Sequence, residues 1–301
     1  MRLLTCLFLS AVSIGAQPRP PAESHITIVD ANGKHARVIY SAKTIFEAPN
    51  WSPDGKYLLL NSAGKLWRLR VDGGEPQPVD SGEIAKINND HGISPDGNWY
   101  AISAGQVYVF PSSGGAPRQI SDATPSYFHG WSPDGKTLAL CARRGDNFDL
   151  YSIPFEGGPE KRLTSSPGYD DGPDYSPDGK WIYFNSDRSG SWDIWRIPAD
   201  GAGENDAKAE RVTSDDYEDW FPHPSPDGKW LLFISFPKGT KGHPPNQNVI
   251  LRRMSMPGSH LDPNPKIVEI LKLFGGQGTM NVNSWSPDSR HFAYVSYTLL
   301  P

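Results

Sequence analysis

The chain has 301 residues, a formal net charge of −5, 37% hydrophobic residues and two cysteines. That balance lacks the basic footprint of a nucleic-acid binder, and no lysine-arginine cluster offers a patch for anionic lipid. Twenty-nine prolines and thirty glycines beside 11% aromatic residues are turn punctuation between apolar runs, not the composition of a disordered chain.

Residues 1–16 carry a positive Arg2, an apolar body over 3–14 and the small pair Gly15-Ala16 before Gln17, the layout of a secretory signal peptide. The body is shorter than the roughly twenty apolar residues that a membrane span needs. The expectation is cleavage, export to the periplasm or beyond, and no membrane span in the mature protein. Cys6 would leave with the leader, so Cys141 would remain without a partner and stability must come from buried apolar area.

A proline-rich linker is expected over 17–23, followed by a single domain over 24–301. The segment His25-Ile26-Thr27-Ile28-Val29-Asp30 reads as a strand, and Ala36-Arg37-Val38-Ile39-Tyr40 as another. Then comes the motif that recurs to the end. Ser-Pro-Asp-Gly follows Trp51, Ile93, Trp131, Tyr175 and Pro224, and Ser-Pro-Asp-Ser follows Trp285. Proline presets φ for a type I turn, serine and aspartate accept backbone hydrogen bonds, and glycine takes positive φ, so each copy is a hairpin turn. A nucleophilic serine would need a histidine and an oxyanion hole at every copy. Six repeated turns point to a fold.

The motif serines at 52, 94, 132, 176, 225 and 286 are 42, 38, 44, 49 and 61 residues apart, the period of four-stranded propeller blades. β-rich runs such as Trp181-Ile182-Tyr183-Phe184 follow the turns, which excludes stacked helix pairs. Each repeat therefore reads as strand A, the turn, strand B, strand C and strand D. Half a blade is left at each terminus. Joining them predicts an all-β, six-bladed β-propeller of four-stranded blades, with the N-terminal strands completing the last blade and leaving no open sheet edge. The longer intervals are insertions over 199–210, 237–248 and 258–265; in the second, Gly239, Lys241, His243 and Pro244-Pro245 would make a solvated loop or a lid.

The repeated Trp-Ser-Pro-Asp-Gly-Lys, with Asp193-Ile194-Trp195-Arg196-Ile197 and Arg211-Val212-Thr213 after it, resembles the TolB-type, WD40-like PD40 propeller repeats. The resemblance implies the propeller without the α/β domain that TolB carries before it. It implies no peptidase domain either, since no nucleophile-elbow Gly-x-Ser-x-Gly is present.

Strand A is the innermost strand, and its side chains should alternate. The fifth residues before each motif serine (Glu47, Asn89, Tyr127, Asp171, Trp220, Asn281) and the third (Pro49, His91, His129, Pro173, Pro222, Asn283) are then expected on one ring at the channel mouth. With Asp170, His223 and Gln277 beside them, they suit a small polar ligand or oligosaccharide, with Tyr127 and Trp220 as stacking platforms. Imidazole and carboxylate also suit a divalent metal ion. Oligogalacturonate lyases, propellers of the same broad type, are similar in having a His-rich, glutamine-assisted metal site at the channel, which by residue type and place implies His91, His129, His223 and Gln277. Asp171, His129 and Glu47 are the catalytic candidates, Glu47 and Asp171 as a carboxylate pair for glycoside hydrolysis. Two readings follow: an exported propeller binding a glycan or a periplasmic protein partner at the channel mouth, or a carbohydrate-active lyase or hydrolase.

Overall fold

The computed structural model describes residues 20–258 and 265–301. The expected leader, with Cys6, and most of the insertion at 258–265 lie outside the described residues. The rest is a ring of six antiparallel sheets. Five are four-stranded, as in the blade formed by Ser126–Trp131, Thr137–Arg144, Asn147–Pro154 and Lys161–Arg162.

The hairpin chemistry is the same in all six turns. The motif serine hydroxyl donates to the motif aspartate at 2.5–2.7 Å, from Ser52–Asp54 through to Ser286–Asp288. The same hydroxyl accepts the N–H of the first strand B residue, as Ser176 does from Trp181 at 3.0 Å. Where the sixth copy replaces glycine, Ser289 takes the left-handed conformation at φ 60° and its hydroxyl accepts the Asp227 N–H of the neighbouring blade at 2.9 Å.

Closure occurs as the half blades require. Ala22–Asp30 pairs with His291–Leu299 in unbroken register from Ala22↔Leu299 to Asp30↔His291, and Arg37–Ala42 lies outside it. Ala22 and Glu23 already belong to this strand, so the expected linker ends earlier than residue 23. Strand A of the closing blade is reduced to one bridge, Trp285↔Phe292. A short 3-10 turn, Gln277–Thr279, lies ahead of that bridge.

Alternation in strand A does not hold. Register shifts fall between Glu47 and Asn50, Phe128 and Gly130, Asp171 and Asp174, and Trp220 and His223. Three of these bulges carry a left-handed residue: Ala48 at φ 54°, Gly172 at 62° and Phe221 at 52°. A bulge adds one residue on one side of the ladder and re-aims those after it. Hence the fifth- and third-preceding residues do not share a ring there. Of the second-preceding residues, Asn50 and Asp174 line the mouth opposite the strand A starts, and His223 is buried behind Asp174.

The closing strands test the ring. Ile26 is fully buried in the core shared with Val295 and Leu60. Ile26→Ala is expected to lower the unfolding free energy by about 2–5 kcal/mol. Val38→Ala on exposed strand D should change it by less than about 0.5 kcal/mol. Both are read by chemical denaturation.

Candidate functional site

The channel has two mouths with different chemistry. At the one where the A strands begin, a polar network crosses the axis. Asn281 Nδ2 donates to Asn89 O at 3.2 Å and to Asp90 Oδ1 at 2.5 Å, and Gln277 Nε2 reaches Asn89 Oδ1 at 3.5 Å. Asn88 also donates its side-chain amide to Asp90. Across from them His129 Nε2 lies 3.1 Å from Asp171 Oδ1 and 3.9 Å from Asp90 Oδ1. Asp171 is further held by the Gly172 N–H at 2.8 Å and by the Tyr169 hydroxyl at 3.4 Å.

Burial and charge oppose each other in this network. Burial lowers the pKa of His129, but the Asp90 charge and the bond to Asp171 outweigh it and raise the imidazole above the ordinary histidine value. Burial likewise raises the Asp171 carboxyl, while the hydrogen bond and charge of His129, then His243 and the Gly172 N–H, overcome it and bring it to about 2. Asp90 stays above the usual carboxylate range because burial dominates. His129 and Asp171 thus form a buried pair, with the Asp90 carboxylate nearby as a charge and not as a hydrogen-bond acceptor.

Several expected residues are placed elsewhere. Asp170, next in chain to Asp171, faces the other side of the strand, where Arg188 Nη2 donates to it at 2.7 and 2.8 Å. Burial pushes its carboxyl up to about 6 against that cation. Trp220 is fully buried, 3.8 Å centroid to centroid from Trp192, and so is no open platform. Tyr127 lies half-buried beside Phe148, in an arc that runs through Tyr169 to Trp192. Glu47 backs onto blade six: a Cβ at Gly278 would lie 2.5 Å from both Glu47 Oε1 and the Tyr297 hydroxyl.

The open space is at the opposite mouth. A cavity of about 350 Å³ is collared by the six motif prolines, from Pro53 to Pro287, and walled by Trp51, Trp131, Tyr175 and Trp285. Asn50, Asp174 and Asn283 supply its polar lining, with His91 and His129 at its wall. Asn283 Nδ2 donates to Asp174 Oδ2 at 2.9 Å, and Asn50 Nδ2 donates to Asn283 O at 2.6 Å. Asp90, Asn50, Asp174 and His243 are the polar residues that the repeat reading left out of the ring. Asn50 and Asp174 could have been found by allowing a bulge, since both precede the motif serine by two.

The proposed metal ligands do not fit one ion. His91 Nε2 faces Leu59 O at 3.3 Å, and burial lowers its pKa to about 4. His223 is held between Asp174 Oδ2 at 3.1 Å and Met280 O at 3.0 Å. Gln277 turns to Asn89 instead. Among the described residues no three His, Cys, Asp or Glu side chains converge as a metal site.

The PD40 family model, described as a TolB beta propeller domain, matches residues 103–261. An uncharacterized protein of Agrobacterium fabrum is 48% identical over 287 residues, covering 93% of this chain and 94% of its own. The chain belongs to the TolB beta-propeller family. Within the family, a solved structure of a TolB candidate from Agrobacterium tumefaciens superposes with a TM-score of 0.86 at 48% identity, covering 93% of this chain and 99% of that one. Outside close TolB relatives, an oligogalacturonate lyase in complex with manganese shares the fold, with a TM-score of 0.54 at 13% identity over 94% of this chain and 98% of its own.

The buried pair makes a pH prediction. The raised His129 pKa contributes stability below about pH 6.5 that is lost as pH rises through the folded value, and the lowered Asp171 pKa contributes above about pH 4 and is lost towards about pH 2. Asp171→Asn should cost about 3–5 kcal/mol, most between about pH 4 and 6.5 and less on either side. Denaturation at a series of pH values measures it, and NMR of the His129 ring should show its titration moving down in the variant.

Proposed function

We propose that this protein is an exported binding propeller whose turn-side mouth holds a segment of a protein partner. The observation that carries the reading is the cavity of about 350 Å³ with its aromatic walls, exposed proline collar and polar lining. Aromatic rings supply large contact area at low entropy cost, and a few fixed polar groups orient what enters. Export is supported by the leader pattern over 1–16. Membership of the TolB family supports a role in the periplasm. No helix among the described residues is long and apolar enough to cross a membrane.

The enzymatic reading needs Glu47, His129 and Asp171 to act on one bond. Of these three, His129 alone lines the cavity. Asp171 is engaged in holding that histidine, and Glu47 packs at the closing blade. The same cavity would also admit the end of a glycan, whose hydroxyls suit Asp174 and Asn283.

A photo-reactive residue at Pro95 or Pro226 on the collar, in protein exported by living cells, is expected to form a discrete cross-linked adduct. Trp51→Ala in the cavity wall should reduce it roughly tenfold, the loss of one aromatic anchor. The same probe at Lys161 on an outer strand is the control. Equal adducts from collar and control, or sugar binding with no protein adduct, would remove the protein-partner reading.

A further inference from the structure

The insertion at 237–248 does more than lengthen a turn. It returns His243 to the mouth where the A strands begin. The imidazole centroid lies 4.4 Å from that of Trp220 and 5.2 Å from that of Phe221, at interplanar angles of 71° and 63°. Its Nε2 is 3.7 Å from Asp171 Oδ2, a separation too long for a hydrogen bond. A small nitrogen ring thus fills a corner made of two aromatic side chains and a carboxylate without completing the polar contact that the corner offers.

The corner is built independently of its occupant. Trp192 lies against Trp220 at 3.8 Å, and the Phe221 N–H donates to Asn185 Oδ1 at 3.0 Å, fixing the left-handed bulge that aims the ring. The Asp171 carboxylate is held by His129 from the far side. Aromatic faces around an ionised carboxylate are the receptor for an organic cation. In the network beyond, Asn281 is fully buried, its Nδ2 is committed to Asp90, and its Oδ1 has no partner. A positively charged ligand in the corner would face the Asp171 carboxylate that the His243 ring leaves at 3.7 Å.

His243 is also placed to leave. The strap is anchored at its shoulder, where the Gly239 N–H donates to Glu218 Oε1 at 2.8 Å and Lys238 pairs with Asp216 at 2.6 Å. Beyond it, Gly242 has φ 63°, a conformation open to glycine at little cost. Burial lowers the His243 pKa below the ordinary histidine value, so this ring is a weaker partner for Asp171 than a permanent cation would be.

We propose that the corner formed by Trp220, Phe221 and Asp171 is a binding site for a small organic ammonium ion, with His243 of the protein's own insertion as the occupant that the ligand displaces. The corner lies behind His129, which lines the cavity assigned above to a protein segment and pairs with Asp171, but it shares no lining residue with that cavity, so either assignment can fail without the other.

Calorimetric titration with choline, and with its neutral isostere 3,3-dimethylbutan-1-ol, tests the proposal on the full chain. Wild-type protein should bind choline, and His243→Ala should bind it roughly tenfold more tightly because the competing ring is gone. The isostere should bind that variant roughly tenfold more weakly than choline does. Equal binding of isostere and choline would reduce the corner to an apolar hole. Binding by the variant but not by wild-type protein would make it a cavity created by mutation, and no binding to either would remove the site. His243→Phe, which keeps the corner filled without a displaceable polar ring, should lose choline binding while remaining folded by circular dichroism; retained binding would put the ligand elsewhere and overturn the assignment.

Discussion

Everything in this molecule depends on one pairing, that of Ala22–Asp30 with His291–Leu299. A blade buries its faces only against neighbours, so an open row of blades would leave two apolar faces and two sheet edges in water. The pairing brings residues almost the whole chain apart into one sheet and converts a linear repeat into a ring. The channel exists because of that closure: the groups facing one another across the axis come from blades far apart in sequence, such as Asn281 and Asp90, and have no other reason to meet.

The second constraint is the bulge in strand A. It lets one strand present Asp171 at one mouth and Asp174 at the other, with a left-handed Gly172 between them. Two carboxylates three residues apart thereby take different tasks. Asp171 neutralises His129 inside the network, whereas Asp174 holds His223 and Asn283 under the open cavity. Left-handed Phe221 does the same in the next blade at a real conformational cost, and that cost is met where an aromatic corner is assembled.

The fold was almost wholly legible in the sequence, because its signals are local. A serine, a proline, an aspartate and a glycine in that order close the same turn wherever they occur, and their spacing counts the blades. The site was legible only in part. Among the polar residues at strand A starts, Gln277 and Asn281 contact Asn89, and His129 contacts Asp171. The positive φ at Ala48 and Phe221 has no residue signature, so a reading by strict alternation misses the re-aiming of Asn50 and His223. Asp170 and Asp171 look equivalent in the chain; the pleat sends one to Arg188 and the other to His129. His243 was visible as part of an insertion, but its destination depends on tertiary packing.

The closing blade's missing inner strand has an effect on orientation. Were all six innermost strands alike, anything entering along the axis would meet nearly the same wall after each sixth of a turn and could settle in several equivalent ways. A 3-10 turn at Gln277–Thr279 and a solitary bridge at Trp285 break that degeneracy on one side. The closing blade therefore adds to the differences among the inner strands that leave the lumen without sixfold symmetry.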